Sequence, residues 1–342
     1  MLADRLGGTV VEASWKGEPM LARRFLDRIG TEVSQISLGG GQIASHGHGL
    51  VSERNAHEVI SAYFEQGGRS IDTARGYGES ERFLGTYFQK HGWGEGVFVS
   101  SKTWQLDAGD IRDDLDQTLQ LLHRDHVDLH YLHDPPRDPA EMDRVLDTYE
   151  QLKNQGKIRA IGASVKGADV TQDTVDLCRQ YICSGRVDVL MIVYSIFRQK
   201  NREMLEAAAE HNVAVVARTV LEDGFLTGRY VPGDEFPRKD DPRGRWGGPH
   251  LRRILESAQE LKQWAVVPPY ENLTQVAIRF ALDEPGICSV ILGGRTPHQI
   301  RGWQVAASLP PLDQSIRDRL YHEYSDRDEE FNTKDLSGGA GT

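Results

Sequence analysis

The sequence predicts a single domain with the (β/α)8 barrel fold, in which eight parallel strands form a closed cylinder inside a layer of helices. Short apolar runs typical of strands alternate along the chain with longer amphipathic patterns typical of helices. Eight such strand runs occur, and their alternation with helices is typical of a parallel sheet. No linker interrupts the pattern, so a chain of 342 residues fits one large barrel better than two ordinary domains.

The predicted elements follow one another in a regular order. The strands lie in VSQISLGG (33–40), RSIDTA, VFVSSKT, VDLHYLHD, IRAIGAS, VDVLMIVYS, AVVARTV and ICSVILGG. Helical patterns follow near residues 53–66, 79–90, 110–122, 139–155, 171–182, 200–210 and 297–307, and a long loop follows the seventh strand. Asp110 and Thr274 are predicted helix caps, and Pro139 is predicted to open a helix.

Three segments stand outside the repeating units. Residues 1–30 are predicted to be an N-terminal lead-in to a barrel that spans residues 31–308. Residues 309–342 are predicted to form one helix, LDQSIRDRLYHEY, followed by a flexible polar tail. Within the barrel, residues 222–250 form a loop rich in Gly, Pro and charge, whose length indicates a role in binding a cofactor.

The composition excludes several classes of function. A net charge of -11 argues against nucleic acid or an anionic membrane surface as a general partner, because both require a basic surface. No run of apolar residues is long enough to span a bilayer, and the acidic first twenty residues do not resemble a secretory signal, so we predict a cytoplasmic protein. The three cysteines have no metal or disulfide spacing.

Four polar residues lie at or just past the ends of predicted strands. They are Asp72 and Tyr77 after the second strand, Lys102 at the end of the third and His133 at the end of the fourth. Strand ends of a barrel converge at its carboxyl-terminal face, where barrel enzymes place their chemistry. Tyr77 offers an acid, and Lys102 offers a cation to stabilise the phenolate that remains. Asp72 would hold that cation, while His133 would orient a substrate oxygen. This set suits protonation of a carbonyl as hydride arrives.

A metal site is not predicted. His46 and His48 lie in an HGH segment flanked by glycines, with no carboxylate or cysteine at ligand spacing. The flanking glycines are typical of a flexible loop.

The segment SIDTARGYGESERFLG, followed by the lysine of VSSKTW and the histidine of LHYLH, resembles the aldo-keto reductase superfamily. The segments IRAIGAS, EDGFLTGRY and VILGGRTPHQI resemble strand-end segments of the same family in the same order, so the likeness covers roughly residues 25–307. The resemblance implies a (β/α)8 barrel, a nicotinamide cofactor that is usually NADPH, and reversible reduction of an aldehyde or ketone. It assigns catalysis to Asp72, Tyr77, Lys102 and His133. Substrate contact would involve Tyr77, His133 and Trp104, the last as a pocket wall.

The same resemblance predicts the cofactor site. Arg295 at the start of a helix is suited to bind a phosphate group. The alternative is an ordinary glycine turn with an exposed arginine. In the family this segment holds the adenosine 2'-phosphate, which favours NADP(H) over NAD. The predicted cofactor-binding residues are Gly40, Gly41, Asp72, Ser164, Met191, Arg218, Thr219, Leu221, Gly224, Leu226, Gly293, Gly294, Arg295 and Gln299.

Four positions depart from the usual pattern of the family. Val165 replaces an asparagine, Met191 replaces a glutamine, and Trp303 lies where a residue near the adenine is expected, either to stack on that ring or to pack on the barrel. Arg218 lies where an aromatic ring often stacks on the nicotinamide. Because a guanidinium is planar but charged, we predict tighter binding of NADPH than of NADP⁺.

The leading functional prediction is an NADP(H)-dependent oxidoreductase that reversibly reduces an aldehyde, ketone or keto-sugar. A sugar or aldose dehydrogenase would run the same chemistry toward oxidation. The alternative from another class is a regulatory or sensor subunit that binds NADP(H) and turns over little. The complete tetrad favours the enzyme, whose partner would be a small carbonyl or sugar molecule. The sequence leaves the substrate identity and the oligomeric state open.

Overall fold

The computed structural model describes residues 14–15, 18–19, 21–44, 51–94, 96–165, 170–236, 241–246 and 248–331. Within them eight parallel strands close into a barrel in chain order, and the last strand pairs with the first. The barrel strands are β1 (Ile36–Gly39), β2 (Ser70–Asp72), β3 (Phe98–Thr103), β4 (Val127–His133), β5 (Ile158–Ser164), β6 (Val189–Val193), β7 (Ala214–Arg218) and β8 (Ile287–Leu292). The predicted fold is confirmed.

Helices surround this cylinder. They are α1 (Glu53–Glu65), α2 (Ser80–His91), α3 (Ala108–Leu122), α4 (Pro139–Asn154), α5 (Gln172–Cys183), α6 (Leu205–Glu210), α7 (Gly248–Ala265), α8 (Leu273–Leu282), α9 (Pro297–Ser308) and α10 (Gln314–Tyr324). Short 3-10 turns cover Gln42–Ala44, Lys200–Met204, Glu222–Thr227, Pro242–Arg245 and Asp328–Phe331. Among the described residues, no helix is both long and apolar enough to cross a membrane.

Two predicted helix caps are wrong. The α3 helix begins at Ala108, two residues before Asp110, and the carboxylate of Asp107 accepts hydrogen bonds from the free backbone N–H groups of its first turn. Thr274 lies inside α8, whose cap is the side chain of Asn272. In both cases the predicted cap lies inside the first turn, and a polar side chain just before the first helical residue accepts the free N–H groups instead. Pro139 does open α4, as predicted.

The first predicted strand, VSQISLGG, is divided in the structure. Thr31–Ser34 pairs antiparallel with Arg23–Leu26, and only Ile36–Gly39 belongs to the barrel. Leu26 and Val33 of this hairpin pack with the interior residues Phe98 and Leu129. The end of the predicted lead-in is therefore a hairpin that covers the amino-terminal end of the barrel.

The long loop after β7 is more ordered than its composition predicts. Its last residues already belong to α7, an 18-residue helix that the sequence interpretation missed. Before α7, the rings of Phe225, Tyr230, Phe236 and Trp246 form an apolar cluster with centroid distances of 5.2–6.1 Å. Residues 237–240 and 247 lie outside the described part. The predicted helix in the C-terminal segment is confirmed as α10, and the predicted flexible tail after residue 331 lies outside the described residues.

The strand register brings the predicted site residues together. Asp72 is level with Gly39 on one side and with Ser100 on the other. His133 is level with Ser164, which is in turn level with Met191. The carboxyl-terminal rim of the barrel therefore collects side chains from sequence positions that are far apart.

Candidate active site

A buried ion pair lies at the rim between β2 and β3. The Lys102 ammonium donates to a carboxylate oxygen of Asp72 at 2.6 Å and to the Thr73 carbonyl at 2.7 Å. The other oxygen of Asp72 accepts the Ser100 hydroxyl at 2.8 Å. Both members of the pair are almost completely buried. Because a buried charge is costly unless it is paired and hydrogen-bonded, these contacts fix the ammonium in one position.

Tyr77 and His133 lie beside this pair. The Lys102 ammonium is 5.0 Å from the centroid of the Tyr77 ring. The Tyr77 and His133 rings meet edge to face, with centroids 6.1 Å apart. Both side chains are partly exposed, in contrast to the buried pair beneath them. The structure thus brings all four predicted catalytic residues together, with the two that would touch substrate on the open side.

Trp104 forms a wall of the same opening. Its indole stacks on the His133 imidazole with centroids 4.2 Å apart and planes 15° from parallel. Trp104 is 42% exposed and Leu106, two residues further, is 39% exposed. An exposed aromatic face beside the tyrosine and histidine is consistent with the predicted substrate wall.

The turn that carries Tyr77 is held by a network that the sequence interpretation missed. The Arg75 backbone N–H donates to the Lys102 carbonyl at 3.1 Å, and its guanidinium pairs with the carboxylate of Glu81. Glu81 is buried and also accepts the hydroxyls of Ser101 and Thr118, each at 2.8 Å. The network joins the Tyr77 turn to α2, β3 and α3. The available signal was a charged pair six residues apart within the motif, but its partners come from distant segments.

The glycines near β1 and β8 allow close approach of neighbouring groups. A Cβ on Gly40 would lie 2.4 Å from the Ser80 hydroxyl oxygen and 3.0 Å from the Asp72 carbonyl, and the Gly40 N–H donates to that carbonyl at 2.7 Å. A Cβ on Gly293 would overlap the side chain of Gln42. A side chain at either position would force its neighbour to move, so these glycines let the adjacent groups lie close to the backbone at the rim.

On the opposite side of the rim, the predicted cofactor residues contact one another. The Ser164 hydroxyl lies 3.4 Å from the Met191 sulfur, inside the barrel mouth. The Arg218 guanidinium donates to the Val165 carbonyl at 2.9 Å and to the Thr219 hydroxyl at 3.2 Å. Arg218 is half-buried, so its charge is held in one place across the ends of β5 and β7.

Arg295 precedes α9. Thr296 caps this helix, and the Gln299 side-chain oxygen accepts the Arg295 backbone N–H at 2.7 Å. The Arg295 carbonyl accepts the Asn55 amide at 2.9 Å, which ties this turn to α1. A capped helix start preceded by an arginine is consistent with the phosphate-binding site that the sequence predicts. Gln299 also has a structural role here.

Trp303 is buried and packs on the barrel. The structure places it against Gly294, where an added Cβ would lie 2.9 Å from the indole. Of the two alternatives for this residue, its burial favours packing on the barrel.

The segment after β7 has an unusual backbone. Thr219, Glu222 and Asp223 have positive φ angles of 62°, 49° and 52°, and Gly224 follows at 94°. Left-handed conformations are unfavourable for non-glycine residues and cluster at functional sites, where surrounding contacts hold them. Leu221 begins the same turn, and the side chain of Leu226 is fully buried, so Leu226 could offer a cofactor only its backbone.

Two contacts hold this turn. A fully buried ion pair joins Arg198 and Glu222 at 3.0 Å, and the Trp246 indole N–H donates to Asp223 at 2.9 Å. The Arg198 guanidinium also lies over the Trp246 ring at 5.0 Å. Sequence interpretation missed these residues because the partners are separated by long stretches of chain without a local pattern.

The described chain holds no group of three or more metal-binding side chains, and His46 and His48 lie outside the described residues. A cavity of about 640 Å³ lies around Trp93, Arg124 and Arg159. Its walls come from the amino-terminal ends of the strands, so it is separate from the site at the rim.

The model of the Aldo/keto reductase family matches residues 35–320 of the chain. The chain belongs to this family. The family assignment agrees with the closed barrel and with the tetrad at its rim, and it makes the protein an oxidoreductase of the aldo-keto reductase type.

Two relatives are similar over most of the chain. Aldo-keto reductase YhdN of Bacillus subtilis (strain 168) is 26% identical over 299 residues, which cover 80% of this chain and 87% of that protein. The NADH-specific methylglyoxal reductase of Escherichia coli (strain K12) is 29% identical over 265 residues, covering 68% and 76%.

Solved structures show the same fold. The holo form of aldo-keto reductase AKR11C1 from Bacillus halodurans superposes with a TM-score of 0.72 at 22% identity, covering 88% of this chain and 95% of that one. Glycerol dehydrogenase AKR11B4 from Gluconobacter oxydans gives a TM-score of 0.71 at 23% identity, covering 91% and 96%.

Proposed function

We propose that this aldo-keto reductase uses NADP(H) to reduce an aldehyde, ketone or keto-sugar reversibly to an alcohol, with Tyr77 as the general acid. The observation that carries the proposal is the buried Lys102–Asp72 pair beside the Tyr77 ring, with His133 across the same opening. A structural ion pair alone would not require a partly exposed phenol and imidazole next to it.

Each side chain has a distinct task in this reaction. A bound nicotinamide supplies the hydride. The Tyr77 hydroxyl gives its proton to the carbonyl oxygen. The Lys102 ammonium stabilises the phenolate through its positive charge, and Asp72 keeps that ammonium in place. His133 holds the carbonyl oxygen by a hydrogen bond, which directs the carbonyl carbon toward the cofactor.

The preference for NADP(H) rests on Arg295. A cation before the capped start of α9 suits an additional phosphate, since a guanidinium forms strong paired hydrogen bonds with phosphate oxygens. The cofactor named for one relative is NADH, so the preference of this chain is a specific prediction rather than a property of all its relatives.

Turnover assays test the proposal. NADPH and NADH are titrated first, and each is then used with a panel of aldehydes, ketones and sugars, with Tyr77→Phe as the control. We expect turnover with NADPH on at least one carbonyl class and near-background rates in the control. A protein that binds NADPH but leaves the whole panel unchanged would instead be the sensor subunit.

A further inference from the structure

The Trp104 indole fills the space in which a side chain of residue 76 would lie. A Cβ added to Gly76 would lie 1.8 and 2.0 Å from two carbons of the Trp104 six-membered ring. Real atoms do not approach so closely, so a side chain at residue 76 requires a shift, and the indole is the group in its way. The backbone at Gly76 does not have a positive φ angle, so alanine is compatible with its conformation.

The absence of a Cβ at Gly76 therefore affects how Trp104 packs on His133. The edge of the indole lies over Gly76 while one face stacks on the imidazole at 4.2 Å. An aromatic stack of this kind restricts the rotation of both rings. A Trp104 ring displaced from Gly76 could not keep the same distance and the same near-parallel plane to His133.

We propose that Gly76 is a positioning residue for the reaction: by leaving space for Trp104, it keeps the indole flat against His133 and fixes the imidazole that orients the carbonyl. The inference rests on the proposed function and extends it to a residue without a side chain. Gly76 stands directly before Tyr77, so one short turn carries the acid and also sets the orienting imidazole across the opening.

A double-mutant cycle tests this inference. Gly76→Ala in the native protein should lower kcat roughly tenfold or more, because small misplacements of an orienting group are costly, and Gly76→Val should lower it further. The dissociation constant for NADPH should stay unchanged. In a Trp104→Ala background, where no indole can be displaced, Gly76→Ala should change kcat less than about twofold.

Gly94→Ala is the matched control, because a Cβ there approaches another residue only at 4.0 Å, in a loop remote from the rim. It should leave kcat unchanged. Equal losses from Gly76→Ala in the two backgrounds would mean a backbone effect and would overturn the proposal, as would full activity of Gly76→Ala in the native protein.

A spectroscopic arm separates this inference from the proposed function. The chain has six tryptophans, so the emission of Trp104 is obtained as the difference between proteins with Trp104 and with Trp104→Phe. Gly76→Ala should change this difference spectrum, even if the native protein reduces no carbonyl of the panel. An unchanged spectrum would overturn the positioning role, whereas an inactive native protein with a changed spectrum would contradict only the proposed function.

Discussion

The two halves of the barrel rim differ in how their polar groups are used. Between β2 and β4, Lys102, Asp72, Tyr77 and His133 converge on one opening, and the charges are paired beneath it. Between β5 and β8, the polar groups bind neighbouring backbone, as Arg218 does with the Val165 carbonyl. The first half has the complete motif of the family, and the second half contains the departures from it.

The residues predicted to determine the reaction type therefore lie in the first half of the rim, and most of those predicted to recognise the cofactor lie in the second half. The proposed proton transfer needs a small set of groups in a fixed geometry, and the four predicted residues of the first half lie together around one opening. The predicted cofactor contacts are spread over many positions, several of them backbone, so we expect that individual side chains can change without removing the site. Substitutions in the first half should therefore affect the chemical step, and those in the second half should affect affinity.

The largest effect is expected for Tyr77→Phe. Loss of a general acid typically lowers the rate about 10²- to 10⁴-fold, and we expect a fall of that size in kcat. The affinity for NADPH should be nearly unchanged, since the phenol acts on the substrate. Steady-state kinetics and a fluorescence titration of NADPH measure the two quantities. A parallel loss of cofactor affinity would contradict the division between the two halves.

Lys102→Met tests the buried pair itself. Removal of one partner leaves the Asp72 charge buried and unpaired, which should lower the free energy of unfolding by about 3–5 kcal/mol. The double variant Asp72→Asn/Lys102→Met removes both charges and should regain much of this stability while staying inactive. Urea denaturation and activity assays measure both outcomes. A stable but inactive single variant would mean that the pair does not stabilise the fold.

Arg295→Ala addresses the cofactor half. Hydrogen bonds to charged groups contribute about 1.5–3 kcal/mol, so the dissociation constant for NADPH should rise about 10- to 100-fold. The constant for NADH, which lacks the additional phosphate, should change little. Equal losses for the two cofactors would show that Arg295 supports the turn rather than recognises the phosphate.

His130 contrasts with His133 on the same strand. It is fully buried and stacks on Tyr149 at 5.3 Å, and it faces away from the opening because side chains three residues apart on a strand lie on opposite faces. Burial, helped by the Lys102 charge, lowers the pKa of His130 to about 3. The folded protein thus excludes a proton that the unfolded chain binds below about pH 6.5. The contribution of His130 to the free energy of unfolding is therefore complete above that pH, and it is lost as the pH falls from about 6.5 toward 3.

His130→Leu should remove this dependence. At pH 5 the native protein should have lost about 2 kcal/mol of unfolding free energy through His130 alone, relative to pH 8. The variant should lose correspondingly less over the same interval. Denaturation curves at both pH values give the comparison, and identical pH profiles for the two proteins would contradict the buried neutral imidazole.

Arg218→Tyr is expected to have the smallest effect. A fixed positive charge near the nicotinamide disfavours its oxidised, cationic form, so the native protein should bind NADPH more tightly than NADP⁺. The substitution should reduce that ratio about three- to tenfold, because Arg218 is half-buried and part of its field is screened by solvent. Equal affinities for both forms in the native protein would exclude this role of Arg218.

Much of the fold could be predicted because it follows from local periodicity. All eight barrel strands were visible as apolar runs, but the division of the first strand at Gln35 was not, since a single residue separates the two pieces. The α7 helix did have a signal, with Ile254, Leu255, Ala258 and Leu261 all buried on one face. It was missed because glycine, proline and charge dominate the loop that precedes it.

The candidate site could be predicted only where a motif has a fixed place relative to strand ends. Lys102 and Asp72 follow from such spacing, and the structure brings them into contact. The Arg198–Glu222 pair and the stacking of Trp104 on His133 depend on how loops from different strands meet. The sequence alone does not show which residues of those loops lie next to each other.

The most direct test of the central claim follows the hydride itself. NADPH carrying deuterium at both C4 positions is incubated with the native enzyme and a reactive carbonyl from the panel, and the alcohol is analysed by mass spectrometry. The account predicts one deuterium on the carbon that was the carbonyl carbon, and only background labelling with Tyr77→Phe. Consumption of NADPH without a labelled alcohol, or full labelling by the Tyr77→Phe enzyme, would contradict it.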